Sequence, residues 1–347
     1  MRVGVLGAAG TVGQRFIQML EKHPWFEVVA LAGSERQVGR EYGEVVRWQL
    51  GEDPPEYARR MILQQSEPTL ECEVVFSALP SDKAAHLESR FAEAGYKVFT
   101  NAGGHRMDSD VPLMVPYINP EHLGAIPCQQ QNRGWKGFIL TNPNCASIPL
   151  AMALKPLHER IGVVRVLVTT MQGVSGAGYP GVPSLDILGN IVPHIEGEER
   201  KVETEPLKML GAWGGYTFEY APIRISAQCH RAPVRDGHLV AASVEFSQPV
   251  AERDVLDAWL EWRPDILGMD LPSSAAHPLV YRTEPDRPQP AKDLMAEGGM
   301  GTVLGRLRPC PLLGWKFNAL SHNTVLGAAG CSLLNAELYF AATEGTV

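Results

Sequence analysis

A glycine-rich turn close to the start of the chain constrains its fold more than any other feature. The apolar run over residues 3–6 predicts a strand, the spacing G-x-x-G-x-x-G follows it, and apolar residues then recur at helical spacing. This order brings backbone N–H groups and the positive end of a helix dipole to a dinucleotide pyrophosphate, although a plain βα turn is the alternative. We predict a dinucleotide-binding domain whose turn contacts the cofactor through Gly7, Gly10, Thr11, Val12 and Gly13.

Strand and helix patterns extend this domain and predict a second one. With 347 residues the chain exceeds the usual length of one domain. Strand patterns over 26–31, 72–79 and 97–101 surround a helical pattern over 83–94, which predicts a parallel sheet covered on both faces. Further predicted elements are helices over 145–160, 254–262 and 324–342, and strands over 138–140, 163–170 and 239–246.

We therefore predict an α/β fold with a Rossmann-type N-terminal domain. This dinucleotide-binding domain is expected over residues 1–144 plus 323–347, because the apolar tail predicts a buried helix that returns to it. Residues 145–322 are expected to form a mixed α+β domain. The glycine-rich segment over 172–181 predicts a loop within it.

Composition excludes several classes of protein. Hydrophobic residues make up 45% and charged residues 20%, which indicates a folded globular chain. A net charge of -8 argues against a nucleic-acid partner. We expect no membrane span, since no run approaches about 18 apolar residues, and the absence of a signal-peptide pattern favours the cytoplasm. The six scattered cysteines predict free thiols and no metal site.

The end of the second predicted strand bears on the choice of dinucleotide. Enzymes that use NAD tend to place an acidic side chain there. Here the sequence reads Ser34-Glu35-Arg36. Ser34 and Arg36 are suited to hold a 2′-phosphate, whereas Glu35 argues against it. We favour NADP as the cofactor, and a solvated surface turn is the alternative.

Two segments carry candidate reactive groups. Cys145 follows Asn144 at the start of a predicted helix, where the helix dipole and free N–H groups stabilise a thiolate. A buried cysteine at a turn is the alternative. His238 lies on a turn after an Asp-Gly pair, seven residues beyond Arg231. A histidine can transfer a proton near neutral pH, and an arginine can bind a carboxylate.

At these residues the sequence resembles the aspartate-β-semialdehyde dehydrogenases of the archaeal and fungal type. The resemblance extends over nearly the whole chain, and its motifs are specific in combination. They lie at 7–13, 34–36, 76–81, 106–113, 142–145, 171–181, 198–201, 231–238, 321–324 and 327–330.

The resemblance implies that L-aspartate 4-semialdehyde, NADP and phosphate interconvert with 4-phospho-L-aspartate and NADPH. It implies a catalytic and dimerisation domain after residue 144 and a homodimer or homotetramer. The catalytic residues that the resemblance implies are Cys145 as the nucleophile, His238 as the acid and base, and Gln172, which helps to orient the bound intermediate. The implied substrate contacts are Arg231, Glu198, Arg106, Lys201 and Asn144, and further cofactor contacts are Ser77, Leu79, Ser175, Gly176 and Asn323.

Three positions depart from the family pattern, and three other functions compete. Leu326 stands where the family commonly has Arg, His230 where it often has Asn, and Gly173 where Ala is more usual. A malonyl-CoA reductase has a similar fold and the same Cys, His and Arg, and an N-acetyl-glutamyl-phosphate reductase is the second competitor. Glu198 favours an amino-acid substrate over both, since neither offers it a free ammonium group. A non-catalytic NADP-binding sensor is the third alternative.

Overall fold

The computed structural model describes residues 1–51 and 53–343. Its first sheet has six strands, all parallel, in the order β3-β2-β1-β4-β5-β6. This is the strand order of a doubly wound dinucleotide-binding fold, in which ligands bind where the order reverses, between β1 and β4. The strands are β1 (Arg2–Leu6), β2 (Glu27–Gly33), β3 (Gln64–Gln65), β4 (Val74–Ser77), β5 (Lys97–Thr100) and β6 (Phe138–Thr141).

The remaining strands form a second sheet and one short hairpin. The order of the second sheet is β10-β7-β11-β14-β13-β12, and its strands are mixed in direction. Strands β8 and β9 pair with each other. These strands are β7 (Val163–Gln172), β8 (Ala212–Trp213), β9 (Phe218–Glu219), β10 (Arg224–Arg231), β11 (His238–Phe246), β12 (Leu279–Arg282), β13 (Thr302–Cys310) and β14 (Gly314–Ser321).

Helices cover both faces of the first sheet and one face of the second. They are α1 (Thr11–Leu20), α2 (Tyr42–Val45), α3 (Glu56–Arg59), α4 (Ser81–Ala94), α5 (Ala125–Arg133), α6 (Ser147–Arg160), α7 (Ser184–Ile187), α8 (Glu198–Met209), α9 (Glu252–Leu260), α10 (Pro290–Asp293) and α11 (Gly330–Thr343). Short 3₁₀ turns lie at Pro120–Gly124, Val174–Ala177, Asp265–Met269 and Ala296–Gly299, and Val325–Ala329 is a π-helical turn.

The second sheet has one buried and one open face. Alternate residues of β11 are buried, as expected when only one face of a strand meets the core. Helices α6 and α9 pack on the buried face. The other face exposes Leu167 and carries a shallow cavity of about 360 Å³ lined in part by Thr169, Gln228 and Asn318.

The tail continues from the π-helical turn directly into α11 and packs against α1 and β5. Val325–Thr343 is long and apolar enough to cross a membrane by length and composition, although Ser332, Asn335 and Glu337 interrupt its apolar residues. Its most apolar window is 83% buried inside the fold, which is typical of a core helix. The domain limits at 144 and 323 stay predictions, and residues 344–347 lie outside the described part of the chain.

Element boundaries differ from the sequence-based prediction near the reactive residues. Helix α6 begins at Ser147, because the Asn144 Oδ1 atom accepts hydrogen bonds from the N–H groups of Ala146 (2.9 Å) and Ser147 (3.3 Å). Cys145 therefore lies on a capped turn that precedes the helix. His238 is the first residue of β11, since its backbone already pairs with Gln172 and Ser321.

Candidate active site

The register of the second sheet brings three sequence-predicted residues together at one end. Gln172 ends β7 and pairs with Arg231 of β10 on one side and with His238 of β11 on the other. Gln172 is distant in sequence from the other two, yet the sheet sets all three on neighbouring strands at the same level. All three side chains are buried.

Cys145 approaches this end of the sheet from the turn that follows β6. Its Sγ atom lies 3.1 Å from Nε2 of His238. The Nδ1 atom of His238 lies 3.2 Å from the N–H of Gly173, which also donates to the carbonyl of Gly237. The thiol and the imidazole therefore form a hydrogen-bonded pair. The backbone N–H of Gly173 contacts the other nitrogen of the His238 ring and fixes its orientation. Burial lowers the pKa of His238 to about 4, so the ring is neutral at physiological pH.

The prediction that the helix end lowers the pKa of the Cys145 thiol was wrong. Burial and the nearby Glu198 carboxylate raise the pKa of Cys145 to about 12, although Arg106 and Arg231 act in the opposite direction. Burial explains the difference, since its effect exceeds those of Arg106, Arg231 and a backbone hydrogen bond at Cys145, which lower the pKa. The thiol thus needs His238 to accept its proton.

Glu198, in the first turn of α8, faces the nucleophile loop and is buried. Its Oε1 accepts a hydrogen bond of 2.9 Å from Nδ2 of Asn144, and its Oε2 lies 3.3 Å from Nζ of Lys201. Burial favours the neutral acid, but Lys201 and the hydrogen bonds of Asn144 and Gln172 hold the pKa of Glu198 below its ordinary value. The site therefore presents a buried, ionised carboxylate.

Arg106, one of the implied substrate contacts, is buried, and its guanidinium group is paired. Its NH1 group donates to Oε1 of Glu205 at 3.0 Å, and its NH2 group donates to the carbonyl of Asn101 at 2.7 Å. Sequence reasoning missed Glu205. The available signal was its position in α8, four residues after Lys201, because i and i+4 share a helix face.

Arg231 extends beside the glycine-rich turn that follows β7. Its NH1 group donates to the carbonyl of Gly173 at 2.9 Å. A Cβ atom at Gly176 would lie 2.8 Å from this NH1 and 3.1 Å from Nε2 of His238. Glycine at 176 therefore leaves space in front of both side chains, which a substrate requires.

Two adjoining cavities form a groove from the first domain to Cys145. One of about 310 Å³ lies over the glycine turn and β2, and one of about 460 Å³ lies over Cys145 and Arg106. Both are lined by residues 78–80. Of the predicted cofactor contacts, those that line the groove are Gly7, Gly10, Thr11, Val12, Ser34, Leu79, Ser175, Gly176 and Asn323.

The other three predicted cofactor contacts lie elsewhere. Ser77 is buried, and its hydroxyl donates to Glu88 at 2.6 Å. Gly13 packs against the turn, since a Cβ atom there would lie 2.2 Å from the carbonyl oxygen of Gly7. Arg36 is exposed and is not among the described residues that line the groove, whereas Lys83 is.

The glycine turn fits a dinucleotide. Gly7 has a φ of +71°, and a Cβ atom there would lie 2.5 Å from the carbonyl oxygen of Ala78. Thr11 begins α1, so the first N–H groups of this helix face the groove. A pyrophosphate can therefore approach the backbone at the positive end of the helix dipole.

The three residues that depart from the family pattern lie in different parts of the structure. Leu326 is fully buried in the π-helical turn, and near it Arg15 of α1 donates to the Thr324 hydroxyl at 3.1 Å. A Cβ atom at Gly173 would lie 3.0 Å from the carbonyl oxygens of Arg235 and Gly237, a tight fit. His230 is half-buried, and its Nδ1 has no partner among the described residues.

Comparisons with known proteins agree with this geometry. Residues 2–126 match the family model described as semialdehyde dehydrogenase, NAD binding domain. Residues 154–326 match the model described as semialdehyde dehydrogenase, dimerisation domain. The two matches leave the nucleophile loop between them.

Curated relatives and solved structures cover the whole chain. The chain is 52% identical to an aspartate-semialdehyde dehydrogenase of Archaeoglobus fulgidus, over 97% of each chain. It is 44% identical to that of Cryptococcus neoformans, over 97% of this chain and 96% of the relative. A crystal structure of the Candida albicans enzyme with NADP superposes with a TM-score of 0.90 at 39% identity, over 99% of both chains.

Proposed function

Since the chain belongs to the aspartate-semialdehyde dehydrogenase family, we propose that it reduces 4-phospho-L-aspartate to L-aspartate 4-semialdehyde with NADPH and releases phosphate. The observation that carries the proposal is the 3.1 Å contact between Cys145 and His238, beside Gln172 and Arg231 in register. In the cell this reaction supplies lysine, threonine and methionine biosynthesis, and we place it in the cytoplasm.

The first chemical step uses the thiol and imidazole pair. His238 takes the proton of the Cys145 thiol, and the thiolate attacks the acyl phosphate carbon. A carbon–sulfur bond forms, the carbon–oxygen bond to phosphate breaks, and a thioester and inorganic phosphate result. Because burial raises the pKa of the Cys145 thiol, little free thiolate exists near neutral pH, and His238 accepts the proton as the sulfur attacks.

The second step completes the reduction at the same sulfur. Bound in the groove, NADPH supplies a hydride to the thioester carbonyl carbon. His238 then exchanges a proton with the oxygen of the resulting thiohemiacetal, and the carbon–sulfur bond breaks to give the aldehyde and free Cys145. The glycine turn, Thr11, Val12, Ser34 and Leu79 would hold the cofactor.

Charged side chains around Cys145 and His238 match the charges of the proposed substrate. Arg231 binds the α-carboxylate, and the ionised Glu198 binds the α-ammonium, helped by the amide of Asn144. Arg106 and Lys201 bind the phosphate and stabilise its charge as it leaves. Both cations also pair with carboxylates of α8, so the phosphate must share or replace these partners.

We propose that the protein is a homodimer or homotetramer that associates through the open face of the second sheet. The match of residues 154–326 to a dimerisation domain supports this, as does the exposure of Leu167 in the middle of that face.

The decisive experiment compares substrates in one assay. NADPH oxidation is measured with 4-phospho-L-aspartate, malonyl-CoA and N-acetyl-glutamyl phosphate, for the unmodified protein, Glu198→Gln and Cys145→Ala. We expect a preference for 4-phospho-L-aspartate, a loss of about tenfold or more in kcat/KM for it in Glu198→Gln, and no turnover in Cys145→Ala.

The other outcomes discriminate among the alternatives. A preference for malonyl-CoA that Glu198→Gln leaves intact identifies a malonyl-CoA reductase. Binding of NADPH without turnover of any of the three substrates identifies a sensor. Cys145→Ala should still bind NADPH by fluorescence titration, which separates a loss of chemistry from a loss of fold.

A further inference from the structure

One face of α8 carries four charged side chains that turn towards the first domain. Glu198, Lys201, Glu205 and Lys208 follow one another at intervals of three and four residues, which places them on a single helix face. The proposed mechanism uses the first two. Glu205 and Lys208 have no part in it, although Glu205 is 2% exposed and Lys208 is fully buried.

Glu205 joins two parts of the active site that are far apart in sequence. Its Oε1 accepts the hydrogen bond of 3.0 Å from Arg106, and its Oε2 accepts one from the backbone N–H of Asn144. Asn144 directly precedes Cys145. A single carboxylate therefore holds both the phosphate-binding cation and the nucleophile loop.

Arg106 is held at its backbone as well as at its side chain. Lys208 donates from Nζ to the carbonyl oxygens of Arg106 (2.8 Å), Asp108 (2.7 Å) and Val111 (2.8 Å). The Nε group of Arg106 is buried and has no partner among the described residues. The guanidinium is thus fixed by two contacts and keeps a donor for a ligand.

We propose that Glu205 is a positioning residue that fixes Arg106 relative to Cys145, a role that rests on the proposed function. The thiolate attacks the carbon from which the phosphate departs, so the cation that binds the phosphate must lie at a set distance from the sulfur. Small displacements of such groups lower reaction rates strongly. A carboxylate that binds both partners sets this distance directly.

Glu205→Gln tests the proposal, because an amide offers one acceptor oxygen and can hold only one of the two partners. The assay is the oxidation of L-aspartate 4-semialdehyde with NADP and inorganic phosphate. We expect KM for phosphate to rise about tenfold or more, while KM for NADP stays within about twofold. Glu203→Gln is the matched control, since Glu203 lies on the same helix but accepts its hydrogen bond from the N–H of Ala227 at 3.0 Å.

A double-mutant cycle with Arg106→Met separates this role from a general structural one. If Glu205 acts through Arg106, Glu205→Gln adds nothing to the phosphate KM of Arg106→Met. An additive increase overturns the proposal. So does a lower phosphate KM in Glu205→Gln, because it would mean that the carboxylate competes with phosphate for Arg106.

Two further measurements keep the test independent of folding and of the substrate assignment. If Glu205→Gln does not fold, Glu205→Asp keeps the charge but is too short to reach both partners, and an unchanged phosphate KM there overturns the proposal.

If the unmodified protein shows no phosphate-dependent activity, the proposed function fails instead. The pH profile of Cys145 alkylation by iodoacetamide then tests Glu205: we expect the profile to shift in Glu205→Gln, because the distance between the Arg106 guanidinium and the Cys145 sulfur is no longer fixed, and an unchanged profile contradicts the role.

Discussion

At the scale of single residues, His238 and His230 make a natural comparison. His238 contacts the Cys145 sulfur, whereas His230 lies one strand position from Arg231, and its Nδ1 has no partner in the described part of the chain. We expect His238→Asn to lower kcat by roughly 10²–10⁴, because proton transfer to and from the thiol is lost. His230→Asn should leave kcat within about twofold. Steady-state kinetics, with circular dichroism to verify folding, measure both, and a folded, fully active His238→Asn protein would make this histidine structural.

Gly176 is expected to tolerate no side chain. A methyl group there would press on Arg231 and His238, since its Cβ would lie 2.8 Å from the first and 3.1 Å from the second. We expect Gly176→Ala to lower kcat/KM by about tenfold or more, while the free energy of unfolding changes by about 1 kcal/mol or less. Gly268→Ala is the control, because its Cβ would meet open space. Equal kinetics for the two variants would show that the glycine is dispensable.

The reactive residues could be predicted from the sequence because each stands in an informative local context. Cys145 follows a strand, and His238 follows an Asp-Gly pair. Glu205 could not be found in the same way, since its partners Arg106 and Asn144 lie 99 and 61 residues away. The thiol pKa also depends on surroundings that local sequence does not contain, namely burial and the carboxylate of Glu198.

At the scale of elements, the strands of the first sheet were predictable and much of the second sheet was not. Buried parallel strands are continuous apolar runs, and β4 and β6 have this character. Strand β10 alternates small and polar residues, such as Ala227 with Gln228, because it lies at an edge with one open face. The hydrophobic alternation of β10 is therefore a weak sequence signal for a strand, even though the register of this strand sets Arg231 in the active site.

Helix α8 depends on Lys208 for its attachment to the loop after Asn101. Without its ammonium group, three carbonyl oxygens would lose their donor, those of residues 106 and 111 in buried hydrogen bonds and that of residue 108 in a partly buried one. We expect Lys208→Met to lower the free energy of unfolding by about 3 kcal/mol or more, at about 1–3 kcal/mol for each unsatisfied group. Urea unfolding measures this. Lys292→Met, at an exposed ion pair with Asp286, should cost less than about 1 kcal/mol, and equal losses in both variants would contradict the role of Lys208.

At the scale of the whole molecule, three buried histidines make the fold sensitive to acid. Burial lowers the pKa of His122, His238 and His322 to about 4 each. An unfolded histidine titrates near pH 6.5, so the unfolded chain binds more protons between about pH 6.5 and pH 4. The contribution of these three histidines to the free energy of unfolding is therefore fully present above about pH 6.5, and it is lost as the pH falls through this window. His105 acts in the opposite direction: burial is outweighed by Asp108 and the Ala85 carbonyl, which raise its pKa.

We expect the free energy of unfolding to fall by a few kcal/mol between about pH 7 and pH 4.5, and each buried histidine contributes at most about 3 kcal/mol by linkage. Urea unfolding at several pH values measures the slope. His122 lies outside the active site, where its Nδ1 is 2.9 Å from Nδ2 of Asn119, so His122→Gln removes one titrating group without touching Cys145. The slope in this variant should be lower by the contribution of one buried histidine. A slope equal to that of the unmodified protein would mean that His122 titrates alike in the folded and unfolded chains, and that its burial does not oppose protonation.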